Sequence, residues 1–371
     1  MAFWSSYLDE VKNNLELLNR VRSLRSVDEN SNALPRVFAS NDYLGLSNHP
    51  KVIEGAIEAT RRYGASSGAS RLVTGTKPIH FELEEIISKW KNTEKSILYS
   101  TGYMTNVGVL SSLLDEDAAV YSDELNHASI VDGIKLSKCE KVTFPHCDYD
   151  FLRDELKRSG RKRSLIVSDV VFSMDGDEAS TAQLLAIAEE FNSLLVLDEA
   201  HNVLNPISEA CVGHPLVLRV GTLSKTLGSL GGFVSGPGTI IDFLINRSRS
   251  FIFSTALAPP NVGAAIKAIE VLESQEGENL LEKLRGYVEV FRDSLGLLES
   301  HQSPIMPIIL GEDERALKAS QQLLEEGFLV PAIRPPSVPV GSSRLRVTLS
   351  AANKNEDVLE LRDLILSILE S

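Results

Sequence analysis

Residues 218–232 read LRVGTLSKTLGSLGG, an apolar run that gives way to Thr222, Ser224 and Lys225 and then to glycines at 228, 231 and 232, with another at 236. A lysine where a strand ends among small residues has an amine placed for chemistry. With a lowered pKa, or held in a Schiff base, it acts as a nucleophile. The flanking hydroxyls suit a phosphate, and the glycines let a bulky flat group approach the backbone. Alone, the stretch is equally a surface loop; its neighbours decide.

Working outward, apolar runs at 96–99, 119–121, 141–144, 165–171, 194–197 and 217–220 alternate with helical patterns such as 79–91 and 102–114. Val/Ile/Leu-rich strands separated by helices predict an α/β fold, a mostly parallel sheet flanked by helices on both faces. Such sheets bind ligands beyond the carboxyl ends of their strands. Polar segments stand at those ends: STGYMTN (100–106), SDELNHASIVD (122–132), FSMDGD (172–177), LDEAH (197–201) and Lys225 itself. The first opens a helix, whose N–H groups and dipole favour an anion.

After Pro259 and Pro260 the texture changes. A helical stretch over 263–299, broken near Gly277, leads to a strand at 304–310, a helix at 316–326, a strand at 344–349 and a final amphipathic helix. The predicted organisation is an N-terminal helical segment (1–39), a large cofactor-binding α/β domain (40–258) and a smaller C-terminal α+β domain (259–371). Residues 1–30 read as one helix, with Leu8, Val11, Leu15 and Leu18 on a single face.

The 371 residues are 43% hydrophobic and 24% charged, the balance of a globular protein with a sizeable core. No run approaches the roughly 18 apolar residues of a membrane span. The N-terminus lacks a signal-peptide pattern, so a cytoplasmic protein is expected. Three cysteines cannot build a disulfide framework. Cys139, His146 and Cys147 lack a fourth ligand, so no metal is expected. A net charge of −14 argues against nucleic acid, and an anionic substrate must meet a local basic patch.

Asp198 ends one strand 27 residues before Lys225 follows the next. That pairing suits a cofactor with a cationic ring and an aldehyde. Pyridoxal phosphate needs a lysine for the aldehyde, a carboxylate for the ring nitrogen, a phosphate pocket and a group flat against the ring. Lys225, Asp198, Gly102 and Tyr103 with Thr222, and His127 can fill those roles in turn. LDEAH is not a nucleotide-hydrolysis acid here, because the chain has no Gly-Lys dipeptide and hence no P-loop.

SNDYLGL (40–46), GASRLVTGT (68–76), NHASIVDG (126–133), FSMDGD (172–177), LDEAH (197–201), GTLSKTLG (221–228), FIFSTAL (251–257) and AIRPPSVPVGSSRLRVTLSAA (332–352) together resemble the α-oxoamine synthases. The resemblance implies a fold-type I pyridoxal-phosphate transferase acting as a homodimer with shared active sites. It implies that Lys225 carries the cofactor as a Schiff base, Asp198 pairs with its ring nitrogen and His127 stacks on the ring. His201 and Ser173 then touch ring substituents, and Gly102, Tyr103 and Thr222 contact the cofactor. Thr255 reaches the phosphate of the other subunit's cofactor. Arg346 anchors the amino-acid carboxylate, with Ser337 and Arg25 at further substrate positions. The 332–352 stretch is most similar to the branch that condenses L-alanine with a pimeloyl thioester, on coenzyme A or an acyl carrier protein, in biotin biosynthesis. KRSGRKR (157–163) reads first as a solvated loop and second as a surface for the acyl carrier. Two further readings stay open: a sister synthase using glycine, serine or another acyl thioester, and a non-catalytic relative. Three segments depart from the family pattern: NVLNPISEACVGHP after LDEAH, EAST after FSMDGD, and Asn353 where a histidine is usual.

Overall fold

A computed structural model describes residues 2–18, 20, 21, 24, 26, 36–161, 163–298 and 300–370. Its strands are β1 (Arg36–Val37), β2 (Lys95–Tyr99), β3 (Ala118–Asp123), β4 (Glu140–Phe144), β5 (Arg163–Asp169), β6 (Leu194–Asp198), β7 (Val217–Thr222), β8 (Gly232–Gly236), β9 (Ile305–Gly311), β10 (Phe328–Leu329), β11 (Ala332–Ile333) and β12 (Ser343–Thr348). Seven form one sheet in the order β2-β8-β7-β6-β5-β3-β4. The strands from β7 through β4 pair in parallel, whereas β8 runs antiparallel to both of its neighbours.

Alternation along the strands explains the layering. Ala119 and Tyr121 of β3 join one buried cluster with Ile166, Leu195 and Leu197. Ala118 and Val120 point the other way, into a second cluster with Leu165, Val167, Val196 and Val220. Side chains of period two therefore bury both faces, which is why these strands read as continuous apolar runs.

β8 (GFVSG) carries too little apolar sequence to announce itself. Gly232 has no room for a side chain, because a Cβ there would lie 2.4 Å from Thr105 Oγ1 and 2.7 Å from the Gly102 backbone. The β7–β8 hairpin encloses Lys225. Leu223 and Ser229 close the loop through backbone bonds, and Thr222 Oγ1 donates to the Gly231 carbonyl at 2.9 Å. Gly228 turns the loop at φ +56° while pressed on the SNDYLGL backbone, where a Cβ would sit 2.2 Å from Ser47 N.

The smaller sheet is antiparallel, in the order β11-β12-β9, and β1 pairs in parallel with β10. A third cluster joins Phe38, Tyr43 and Leu46 to Val262, Phe291, Ile305, Leu345 and Val358. SNDYLGL is thereby fixed between the C-terminal elements and the Lys225 loop.

Two expectations need correction. The N-terminal helix spans Ala2–Leu17, not 1–30. The break expected near Gly277 is present but falls at Glu273 and Ser274, between helices Pro259–Leu272 and Gln275–Leu295. Gly277 lies inside the second helix and is a packing residue, since a Cβ there would meet the Leu272 carbonyl at 2.4 Å. No helix among the described residues is long and apolar enough to cross a membrane.

Candidate active site

The carboxyl ends of β5, β6 and β7 bring the charged groups together. Asp198 ends β6 in register with Asp169 of β5, and both are buried. Asp198 accepts from Asn106 Nδ2 at 2.6 Å and from the Ala200 N–H at 2.9 Å. Asn106 also donates to Ser129 Oγ at 2.9 Å, and that hydroxyl meets His127 Nδ1 at 2.7 Å. The Ser129 N–H points at the same nitrogen from 3.3 Å, so Nδ1 is the accepting side of the ring and His127 caps its own helix. The His127 N–H donates to Asp169 Oδ2 at 2.9 Å. Burial, with the Asp198 charge beside it, drives the Asp169 carboxyl well above the usual carboxylate range.

The Lys225 amine lies 2.7 Å from His201 Nε2, and His201 Nδ1 lies 2.5 Å from the Tyr43 hydroxyl. Tyr43 reaches Asn41 Oδ1 at 3.3 Å, which also accepts from Arg346 Nη2 at 3.2 Å. One assignment satisfies every atom. The ammonium donates to a neutral His201, whose Nδ1–H donates to Tyr43, which donates to Asn41. Burial pulls Lys225 down to about 8, against the opposing pull of Asp198 and Asp169. Burial, then the Lys225 and Arg346 charges, hold His201 well below its ordinary value. His127 is lowered too, chiefly by burial. Tyr43 is pushed up to about 12 by burial.

Helix Gly102–Leu113 points its amino end at the same edge. Thr101 caps it by accepting from the Met104 N–H at 3.1 Å, leaving the first N–H groups without intrahelical partners. A Cβ on Gly102 would sit 3.1 Å from Thr222 Cβ and 3.3 Å from its Oγ1, so this cradle depends on glycine. Thr222 and Ser224 pair their hydroxyls at 2.8 Å beside it.

Residues 37–365 match the family described as aminotransferase class I and II. The chain belongs to that family, in its α-oxoamine synthase branch.

The chain is 42% identical to a putative 8-amino-7-oxononanoate synthase of Desulforudis audaxviator, over 95% of this chain and 96% of that one. It is 41% identical to the 8-amino-7-oxononanoate synthase of Saccharophagus degradans, over 98% and 96%. A variant of the serine palmitoyltransferase of S. paucimobilis, solved with a bound PLP–myriocin aldimine, superposes with a TM-score of 0.88 at 26% identity, covering 98% and 97%. The α/β architecture expected from the sequence is therefore a fold-type I transferase fold.

Of the twelve site residues expected in this synthase, Lys225, His201, Asp198, His127, Gly102, Thr222 and Arg346 gather at one edge. Ser173 contributes its carbonyl, which accepts from Arg346 Nε at 2.5 Å. Tyr103 stands at the rim, bonded through its hydroxyl to Asp132, its ring 6.4 Å from that of His127. Ser337 and Ser173 both line a cavity of about 450 Å³. Thr255 is exposed and bridges to Ser70, apart from the cluster. Arg25 lies outside the described residues.

Asn41, Tyr43, Asn106 and Asp169 were not singled out by the sequence reading, though all four lie within or beside quoted motifs. The available signal was their position: Asp169 closes the strand next to the one Asp198 closes. Behind Asp198, buried Glu199 accepts from Arg219 and, at 2.9 Å, from buried Lys91. Burial alone raises an acid, but the two cations outweigh it and hold Glu199 at about 2. In KRSGRKR, Lys157, Arg158, Arg161 and Arg163 each face a carboxylate of this chain. Asn353 closes a turn by accepting from the Ser350 N–H at 2.8 Å and carries no part of the cluster.

Proposed function

We propose that the chain is a pyridoxal-phosphate-dependent 8-amino-7-oxononanoate synthase, condensing L-alanine with a pimeloyl thioester. What carries the proposal is the Lys225–His201 contact at the edge where Asp198 ends its strand. The names of the 41–42% identical relatives support the choice of substrates.

The residues fit the cofactor. Lys225 offers an amine to its aldehyde, Asp198 a buried carboxylate to its ring nitrogen, and the helix amino end with Thr222 a cradle for its phosphate. When bound, pyridoxal phosphate supplies an electron sink for charge developing at the alanine Cα. Lys225 Nζ, lowered by burial, takes the Cα proton, and His201 Nε2 holds that amine in place. Asn106 and the Ala200 N–H fix Asp198, so that the carboxylate does not turn away from the ring. Arg346 faces the alanine carboxylate, a task suited to a planar guanidinium. The Cα then bonds to the thioester carbonyl carbon, the thiolate leaves, and the former alanine carboxylate departs as carbon dioxide. His127 Nε2 stands ready to hand on a proton in the later steps. The acyl chain is assigned to the cavity between Ser173 and Ser337.

The active form is a homodimer in this reading, with Thr255 serving the partner's site. Exposed Leu72, Val73, Phe81 and Phe253 around that loop support a covered surface there. The test is an absorbance titration of the pyridoxal-phosphate-loaded protein with L-alanine, glycine and L-serine, followed by pimeloyl-CoA. A shift specific to L-alanine, with thiol release on adding pimeloyl-CoA, is expected. A response to glycine or serine alone would move the substrate, and no response at all would sink the enzyme reading.

A further inference from the structure

His146 belongs to none of the contacts above, yet both of its ring nitrogens meet carboxylates. Nδ1 lies 3.0 Å from Asp123 Oδ1 and Nε2 lies 2.6 Å from Asp177 Oδ2. Its ring stands edge-on to Phe172, with centroids 4.4 Å apart at 89°. Burial opposes its charge, but the bonds to Asp123 and Asp177 prevail and push it up to about 12. Both ring nitrogens face carboxylate oxygens, a geometry that a doubly donating imidazolium satisfies. Asp123, His146 and Cys147 do bring ligand-type atoms within 4.8 Å of one another. Each ring nitrogen, however, already faces a carboxylate oxygen.

The two carboxylates lie outside the 450 Å³ cavity, next to different parts of its lining: Asp123 adjoins Glu124, and Asp177 follows Asp175 by two residues. Asp123 ends β3 and pins the turn that leads to His127: its Oδ1 accepts from the Leu125 N–H at 2.9 Å, and its carbonyl from the Asn126 N–H at 3.3 Å. Asp177 closes the opposite loop, where the Phe172 N–H donates to the Asp177 carbonyl at 3.0 Å. That loop carries Ser173 and Met174, and the cavity runs between Leu125 and Asn126 on one side and Phe172 to Met174 on the other. The segment around Ser337 forms the third wall. Among the side-chain hydrogen bonds named here, the imidazole alone ties the first wall directly to the second.

We propose that His146 is a positioning residue, a double-ended strap that sets the spacing of these two walls and so the fit of the acyl chain. The inference rests on the assignment of that cavity to the acyl chain in the proposed reaction. Lys225, Asp198 and His201 are held by separate contacts. Arg346 meets the Ser173 carbonyl of this loop but is also held by Thr348 Oγ1 at 2.8 Å and Asn41 Oδ1 at 3.2 Å, so loosening the strap leaves the amino-acid side of the site in place.

The experiment compares wild type with His146→Gln, which keeps at most one link, and with Asp177→Asn, which alters only the half-exposed end. Hydrogen exchange of residues 172–177, alanine affinity from cofactor absorbance, and KM for pimeloyl-CoA are measured on the loaded protein. Expected are faster exchange in that segment and a KM raised roughly tenfold, about the effect of one charge-assisted bond, with alanine affinity within about twofold of wild type. An unchanged KM in both variants overturns the proposal. So does a parallel loss of alanine and acyl affinity, which marks a merely structural histidine. If wild type ignores pimeloyl-CoA, the proposed reaction fails instead. Positioning is then judged by exchange alone, and unchanged protection of 172–177 in both variants overturns it.

Discussion

Asn205 donates its side-chain N–H to the carboxylate of Glu178. The two residues come from the two segments that depart most from the family pattern, NVLN after LDEAH and EAST after FSMDGD. The Thr181 hydroxyl, also from the second segment, accepts from the Ser208 N–H at 2.9 Å, and its carbonyl accepts from Cys211 Sγ at 3.4 Å. These two departures therefore pack against each other, held by their own hydrogen bonds.

That pairing predicts coupled energetics. Glu178→Ala and Asn205→Ala should each cost about 1 kcal/mol, and the double variant less than their sum. Urea denaturation of the four proteins gives the coupling. Strict additivity would mean that the bond contributes nothing.

Removing the nucleophile has a larger and different effect. Lys225→Ala should lower turnover by about 10⁴-fold or more while leaving the fold intact. Borohydride treatment should fix pyridoxal phosphate to the parent chain and not to the variant, which mass spectrometry reads directly.

The Lys225 amine also makes the stability of the cofactor-free protein depend on pH. Its pKa falls from 10.5 in the unfolded chain to about 8 in the fold, because burial disfavours the ammonium. The unfolded state therefore binds more protons between pH 8 and 10.5, and stability gains with pH across that window. Below pH 8 the full penalty remains, of order 3 kcal/mol. Lys225→Met should accordingly be more stable than its parent at pH 7, by a margin that shrinks towards pH 10. Thermal melts of both proteins across this range measure the difference.

Glu199 should be intolerant of neutralisation. Glu199→Gln leaves Lys91 and Arg219 buried with no counter-charge, at a cost of about 3 kcal/mol or more. The expected result is a lower denaturation midpoint together with weaker cofactor retention, because Asp198 is the adjacent residue. A midpoint equal to that of wild type would show that the pair is not charged in the fold.

The strands were legible only in part. β3 and β5 through β7 show their apolar runs because the sheet buries both faces. β8 escaped because the close approach of helix Gly102–Leu113 demands glycine where a strand former would have been visible. Gly277 misled for a related reason: in sequence a glycine reads as a breaker, whereas here it admits a neighbouring carbonyl. The amino-terminal pattern of Leu8, Val11, Leu15 and Leu18 identified a helix but not where it ends.

Sequence alone placed Lys225, Asp198 and His127 just beyond the carboxyl ends of strands, with glycines beside them. Periodicity and strand-end position are local properties, and local properties survive in one dimension. Only the tertiary structure decided the partners: Tyr43 and Asn41 beneath His201, Asn106 between Asp198 and Ser129, and His146 between Asp123 and Asp177. Those contacts span up to 158 residues of chain. Their geometry depends on which buried groups must share protons away from water, and that is settled only when the separate segments pack together.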